Sequence, residues 1–311
     1  MNVKLLTLSI AFAFTTMSAF AGPRPTDSGE SVHVVVTATP HKGDQVPAVS
    51  SSDVNVFQGK ERHQVAQWIP AQGDHAALDF YILIDDTSRD VLSTQFDDIR
   101  KFIDAQPPST KIGIAYMQNG RAAIAQDLTD NRSLAGKAIR LPLAYPGVNA
   151  SPYFSLSDLV KHWPQDNARH EVLMITNGLD PYYGIGDMND PYLDAAIADA
   201  QRAGVLVSAI YEPSVGRASR NQFFSYWGQM YLNKLTQETG GQSYYIGFFG
   251  QAPDFTPYLN DLTNRLNHQY ILAFVPEPQK KSGLQPVKVK TELHNVNLTG
   301  PSQVYVPANH P

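Results

Sequence analysis

Two adjacent carboxylates, Asp85 and Asp86, follow directly on the apolar run Phe80 to Ile84, and the hydroxyls of Thr87 and Ser88 come next. A carboxylate pair of this kind is the raw material of acid/base hydrolysis. Adjacent side chains at a strand end diverge, however, which argues against Asp85 and Asp86 working on one substrate bond. A second acidic group, Asp180, Asp187, Asp190 and Asp194, surrounds Tyr182-Tyr183-Gly184-Ile185-Gly186. It lacks the spacing and the bidentate Glu of an EF-hand calcium loop, and Asp190 before Pro191 reads as a helix N-cap. Gly184-x-Gly186 lacks the third glycine and the preceding strand of a dinucleotide loop. His170-Glu171 is not followed by the second His of a zinc protease, and neither a Gly-x-Ser-x-Gly elbow nor a phosphate loop occurs. Phe223, Phe224, Trp227, Tyr231 and Leu235 recur at helical spacing and predict a packed helix face. Arg217, Arg220 and Tyr226 are less easily buried, and Tyr and Arg are favoured at binding hot spots.

The elements that must position these residues alternate. Phe80 to Ile84, Ile112 to Met117, Val172 to Ile175 and Val205 to Tyr211 are short apolar runs, as expected of strands covered on both faces. Helical spacing lies between them: Val91 to Ile103, about Asn131 to Leu141, Ser155 to Trp163, Leu193 to Ala200, about Asn221 to Thr239, and Pro257 to Leu266. Asn119-Gly120 predicts a tight hairpin, with Ala122 to Ala125 returning antiparallel. The order predicts a mostly parallel, Rossmann-like sheet with helices on both faces. Both flanks read differently. Residues 31–69 and 268–311 carry alternating strands and turns, and neither flank alone can bury a sandwich core, so the two are expected to pack together as a small β module beside an α/β domain at 76–267.

The chain has 311 residues, no cysteine and a net charge of −5. Disulfides, thiol catalysis and cysteine-ligated zinc are excluded, and without a basic stripe nucleic acid is not an expected partner. Residues 1–21 read as a signal peptide: Lys4, an apolar stretch from Leu5 to Phe14, and Ala19-Phe20-Ala21 before Gly22. Residues 22–30 read as a polar tether. Cleavage near Ala21/Gly22 would deliver the mature chain to the periplasm or the medium, with no further membrane-spanning segment.

The order of elements resembles the von Willebrand factor type A (VWA) domain. Ile84-Asp85-Asp86-Thr87-Ser88-Arg89 stands where that family has Asp-x-Ser-x-Ser, the start of its metal-ion-dependent adhesion site, and Ile175-Thr176-Asn177-Gly178 stands where it has Thr-Asp-Gly. Leu128-Thr129-Asp130-Asn131 and Ala200 to Val205 match further junctions. The flanks, Val35 to Lys60, Thr239-Gly240-Gly241, Leu266 to Leu272 and Val287 to Lys290, resemble the secreted VWFA-related family first catalogued in Acidobacteria. The resemblance implies protein recognition at the C-terminal edge of the sheet, through Asp85, Arg89, Ser151, Asn177, Arg217, Arg220 and Tyr226. It also implies a ligand set for Mg²⁺ or Mn²⁺: Asp85, Thr87 and Ser151, or in a frame shifted by one residue Asp86, Ser88 and Asp90. Arg89 replaces a hydroxyl and Asn177 a carboxylate, so the site is degenerate, and the cofactor expectation is none or a weakly bound ion. In the reading without an ion, Asp85 caps a turn and Arg89 neutralises Asp85 or Asp86. A hydrolase using Asp85/Asp86 and a purely structural envelope component are the alternatives to recognition.

Overall fold

The computed structural model describes residues 31–43, 45–88, 90–143, 151–164, 166–214, 221–245 and 254–308. Its strands are β1 (Val32–Pro40), β2 (Val54–Gln58), β3 (Glu61–His63), β4 (Val65–Pro70), β5 (Leu78–Asp85), β6 (Thr110–Gln118), β7 (Arg121–Thr129), β8 (Arg169–Thr176), β9 (Val205–Tyr211), β10 (Ser243–Tyr245), β11 (Gln269–Phe274), β12 (Gly283–Thr291), β13 (Val296–Thr299) and β14 (Gln303–Val306). Its helices are α1 (Phe96–Ala105), α2 (Arg132–Lys137), α3 (Pro152–Lys161), α4 (Pro191–Ala203), α5 (Gln222–Thr239) and α6 (Thr256–Asn267).

The central sheet has the order β10-β9-β8-β5-β6-β7. All its pairings are parallel except β6 with β7, which returns through the Asn119-Gly120 turn with both residues at positive φ. Because side chains alternate along a strand, β5 feeds two cores at once. Phe80, Ile82 and Ile84 enter a cluster with Ile99, Phe102 and Ile103 of α1 and Leu259, Leu262 and Leu266 of α6. Tyr81 and Leu83 enter the opposite cluster, with Leu156 and Leu159 of α3, Leu193 and Ile197 of α4, and Leu232 and Leu235 of α5. This is the doubly wound α/β arrangement expected from the sequence.

The strands of the two flanks interleave. One four-stranded sheet has the order β13-β1-β11-β4, the other β14-β12-β2-β3. Val34 and Val36, Val54 and Val56, and Leu272 and Phe274 share one buried cluster between them. Each sheet therefore mixes strands from both flanks, and neither flank supplies a complete sheet.

Local differences from the sequence reading have local causes. The predicted helix from Asn131 is only Arg132–Lys137, capped by the Asn131 side chain on Leu134 N. The predicted packed face of α5 holds at Tyr231 and Leu235, which are buried, and at Phe224 and Trp227, which pack half-buried against the same cluster, whereas Phe223 is 53% exposed. Residues 1–30, which carry the export expectation, lie outside the described residues. Among the described residues no helix is long and apolar enough to cross a membrane.

Candidate functional site

Parallel strands all end on the same side, so the residues after β5, β8 and β9 share one edge of the sheet. The structure brings Asp85, Thr176 and Glu212 together there. Asp85 is buried; its Oδ1 accepts from Thr87 N (3.0 Å) and Thr87 Oγ1 (2.7 Å), and its Oδ2 accepts from Thr176 Oγ1 (2.8 Å). Glu212 N donates to Thr176 O at 2.8 Å. Burial pushes the Asp85 carboxyl up, and its hydrogen bonds to Thr87 and Thr176 oppose the shift. Burial likewise pushes Glu212 up, opposed by hydrogen bonds from Ser214, and the Asp85 charge adds to the rise. Ser88 is fully buried, and its hydroxyl has no hydrogen-bond partner among the described residues.

Asp86 faces elsewhere. Its Oδ1 accepts from Arg140 Nη1 (2.7 Å) and Leu143 N (2.9 Å), and its Oδ2 from Gln118 Nε2 (2.6 Å) and Arg140 Nη2 (3.1 Å). Arg140 in turn lies 3.8 Å above the Tyr116 ring. Burial works to raise the Asp86 pKa, and the hydrogen bonds from Arg140, Gln118 and Leu143 outweigh it and hold the carboxyl below its ordinary range. The two carboxylates are engaged toward different neighbours, Asp85 toward β8 and Asp86 toward β6, so they do not form a pair across one substrate bond. The cation that neutralises Asp86 is Arg140; Arg89, expected in that role, lies outside the described residues, as do Arg217 and Arg220.

Ser151 sits at the N-cap of α3 but does not cap it. Its hydroxyl donates to Asp180 Oδ2 at 2.7 Å, and Asp180 Oδ1 accepts from Tyr182 N (2.7 Å) and Tyr183 N (3.2 Å). Asp190 caps α4 through Tyr192 N and Leu193 N, as its sequence predicts. Asn177 Oδ1 accepts from Leu179 N at 2.9 Å. Against that turn, α5 makes a backbone-to-backbone approach at Gly228: a Cβ there would lie 2.0 Å from Asn177 O.

Each of the two segments that leave this edge carries a pair of exposed aromatic rings. Tyr182 (52% exposed) and Tyr183 (42%) follow β8, and Phe223 (53%) and Tyr226 (55%) follow β9. Gly186 links the two segments, lying against Phe223 and Trp227 and donating its N–H to Tyr231 Oη at 3.0 Å. Thr176 and Glu212 were not candidates from sequence. Thr176 stands in the quoted Thr-Asn-Gly segment, but only the β5–β8 pairing shows that its hydroxyl reaches Asp85. Replacing Thr176 by valine keeps the shape and removes that donor, and is expected to cost about 1–2 kcal/mol of stability in urea unfolding. Equal loss in Thr176→Val and in Thr176→Val made on Asp85→Asn would show that the hydroxyl does not act through Asp85.

No protein-family model matches the chain. No curated protein matches it either. Among solved structures it is similar to a conserved hypothetical protein, BatB, from Bacteroides thetaiotaomicron (14% identity, 61% of this chain and 97% of that chain, TM-score 0.45). It is also similar to the SpRpn10 VWA domain (13%, 60% and 95%, TM-score 0.40) and to the manganese-loaded TRAP protein of Plasmodium vivax (10%, 75% and 95%, TM-score 0.43). The strand order, the helices on both faces and the single antiparallel edge strand give the α/β unit the fold class of a VWA-type domain.

Proposed function

We infer that the protein is an exported, non-enzymatic recognition protein that binds another protein through the C-terminal edge of its central sheet. The observation that carries this reading is the exposed aromatic group Tyr182, Tyr183, Phe223 and Tyr226, set on the two segments that leave β8 and β9. Large exposed rings on a surface fixed by a rigid sheet are the composition of interface anchors. Beneath them, the buried Asp85–Thr176 bond ties the ends of β5 and β8, and Asp180 orders the turn that presents Tyr182 and Tyr183. Arg89, Arg217 and Arg220 would add cations for an acidic group of the partner.

The degenerate adhesion site belongs to the same reading. Carboxylate and hydroxyl oxygens suit a hard divalent cation, and the buried Ser88 hydroxyl, without a hydrogen-bond partner among the described residues, supports this reading as a further oxygen at this edge. Asp85 and Thr87, with Glu212 as second carboxylate, would hold a weak Mg²⁺ or Mn²⁺; Ser151 is engaged by Asp180 instead. Such an ion would supply a positive point for a partner's carboxylate. Residues 1–21, read as an export signal, support a mature chain in the periplasm or the medium, and N-terminal sequencing of the native protein should find Gly22 first.

The test is a quantitative pull-down from native envelope and medium with the wild type and with Tyr226→Ala combined with Phe223→Ala. Both residues are exposed, so folding is expected to be unchanged while partner recovery falls at least about tenfold. Recovery that is unchanged in the double variant would refute the aromatic edge as the contact surface.

A further inference from the structure

A second group of metal-ligating side chains lies at the other end of the sheet. Asp79 is opposite His170 of β8 and Lys111 of β6 in the strand register. Asp166, ahead of β8, accepts from Ala168 N through Oδ1 (2.9 Å), and the same oxygen lies 2.9 Å from His170 Nε2. One carboxylate oxygen from each Asp and a His170 ring nitrogen all fall within 4.8 Å of one another. Asp79 is only 2% exposed, and its carboxyl shares a hydrogen bond with the Asp166 carboxyl beside it. Burial, with the Asp166 charge beside it, pushes Asp79 up, while Lys111 and His170 oppose the shift. Two carboxylates brought this close must share a proton or hold a cation, and the His170 nitrogen within the same 4.8 Å supplies a third ligand for a cation.

The donor chemistry narrows the choice. Two carboxylates and an imidazole suit Zn²⁺, whereas Mg²⁺ prefers all-oxygen shells and keeps its waters. Zinc bonds of about 2.0–2.2 Å place tetrahedral ligands roughly 3.3 Å apart, so the present spacing needs only small adjustments. Asp166 is exposed and can make them, while His170, 8% exposed and beside Trp163, is held in place. We propose that Asp79, Asp166 and His170 bind one Zn²⁺ at the N-terminal edge of the central sheet, with a fourth position open to water on the Asp166 side. Six residues along β5 separate Asp79 from Asp85, about 20 Å, so this site is distinct from the recognition edge.

Calorimetry of the full, tag-free, chelator-stripped chain with ZnCl₂, and with MgCl₂ as comparison, tests the site. One zinc per chain is expected in the wild type and in Asp85→Asn. Asp166→Asn should weaken binding at least about 10–100-fold, and His170→Ala should abolish it. Because His170 is buried and its loss could disturb folding, the exposed Asp166→Asn variant is decisive. Co²⁺ in place of zinc should show the intense visible absorption of a four-coordinate ion in the wild type and lose it in Asp166→Asn. Zinc uptake unchanged in Asp166→Asn, uptake lost in Asp85→Asn instead, or no uptake at all would overturn the proposal and leave an ion-pair cluster completed by Lys111.

Discussion

Gly228→Ala is expected to destabilise the protein by ~3 kcal/mol, although alanine is the better helix former by about 1 kcal/mol. Gly228 lies inside α5, where a Cβ would meet Asn177 O at 2.0 Å and the Tyr211 ring at 3.3 Å. The oxygen cannot yield by a rotamer change because it belongs to the backbone. Gly178 next to it sits at φ 67°, and a Cβ there would lie 2.5 Å from Leu232 and 2.7 Å from Gly228 O. The two glycines let α5 and the turn after β8 touch main chain to main chain, and this contact sets the height of Phe223 and Tyr226 above the sheet edge. Gly136→Ala is the matched control: it also lies within a helix, but its nearest neighbour would be Arg100 Cγ at 3.8 Å, so a small gain is expected. Urea unfolding of both variants decides the matter; a Gly228→Ala protein as stable as the wild type would mean the approach is not as close as described.

The second large effect is a dependence on pH. Glu171, 2% exposed, is pushed up from 4.5 to about 7 by burial, against the opposing influence of the Gln269 amide and the Arg169 charge. It accepts from Gln269 Nε2, while Arg169 bonds Gln269 Oε1, Leu266 O (3.1 Å) and Ala76 O (3.2 Å). Gln269 opens β11, so this cluster joins the α/β sheet to the sandwich of flank strands. Between pH 4.5 and about 7 the folded chain keeps a proton that the unfolded chain has released. Stability therefore falls as pH rises through that window, by about 3 kcal/mol in all, and the slope from this group ends above the folded pKa. Glu171→Gln should remove the slope and make the protein the more stable one at about pH 8. Urea unfolding of both forms at about pH 5 and about pH 8 measures it, and parallel pH profiles would rule the mechanism out.

The parts of the fold that were legible in the sequence are those whose local pattern and tertiary role coincide. Phe80 to Ile84 is apolar on both faces because two helix layers cover β5, and Asp190-Pro191 and Asn119-Gly120 carry their own capping and turn chemistry. Ser151-Pro152 has the same form as Asp190-Pro191, yet its hydroxyl goes to Asp180, a choice set by a residue that lies far away along the chain. The candidate site was legible at Asp85 and less so around it. Glu212 follows a strand as an ordinary loop residue, and the pairing of Asp86 with Arg140 spans 54 residues, so nothing in the local pattern of either could announce the contact. The cluster of Asp79, Asp166 and His170 was equally silent: a single Asp at a strand start acquires a neighbour only when β8 is laid beside β5.

The interleaving of the two flanks bears on how the chain acquires its shape. β1 is hydrogen-bonded on one side by β11 and on the other by β13, with Val32 opposite Phe274. A chain made, or threaded through a membrane, from its N-terminus would hold β1 without either neighbour, and β2 with β3 alone, until the entire α/β unit had emerged. The early strands, with bare edges and a row of valines, would in that interval be the segment most in need of a chaperone. Once β12 to β14 arrive, they work as a clasp, and a cut in any loop of the α/β unit would leave both fragments still gripped together by the sandwich.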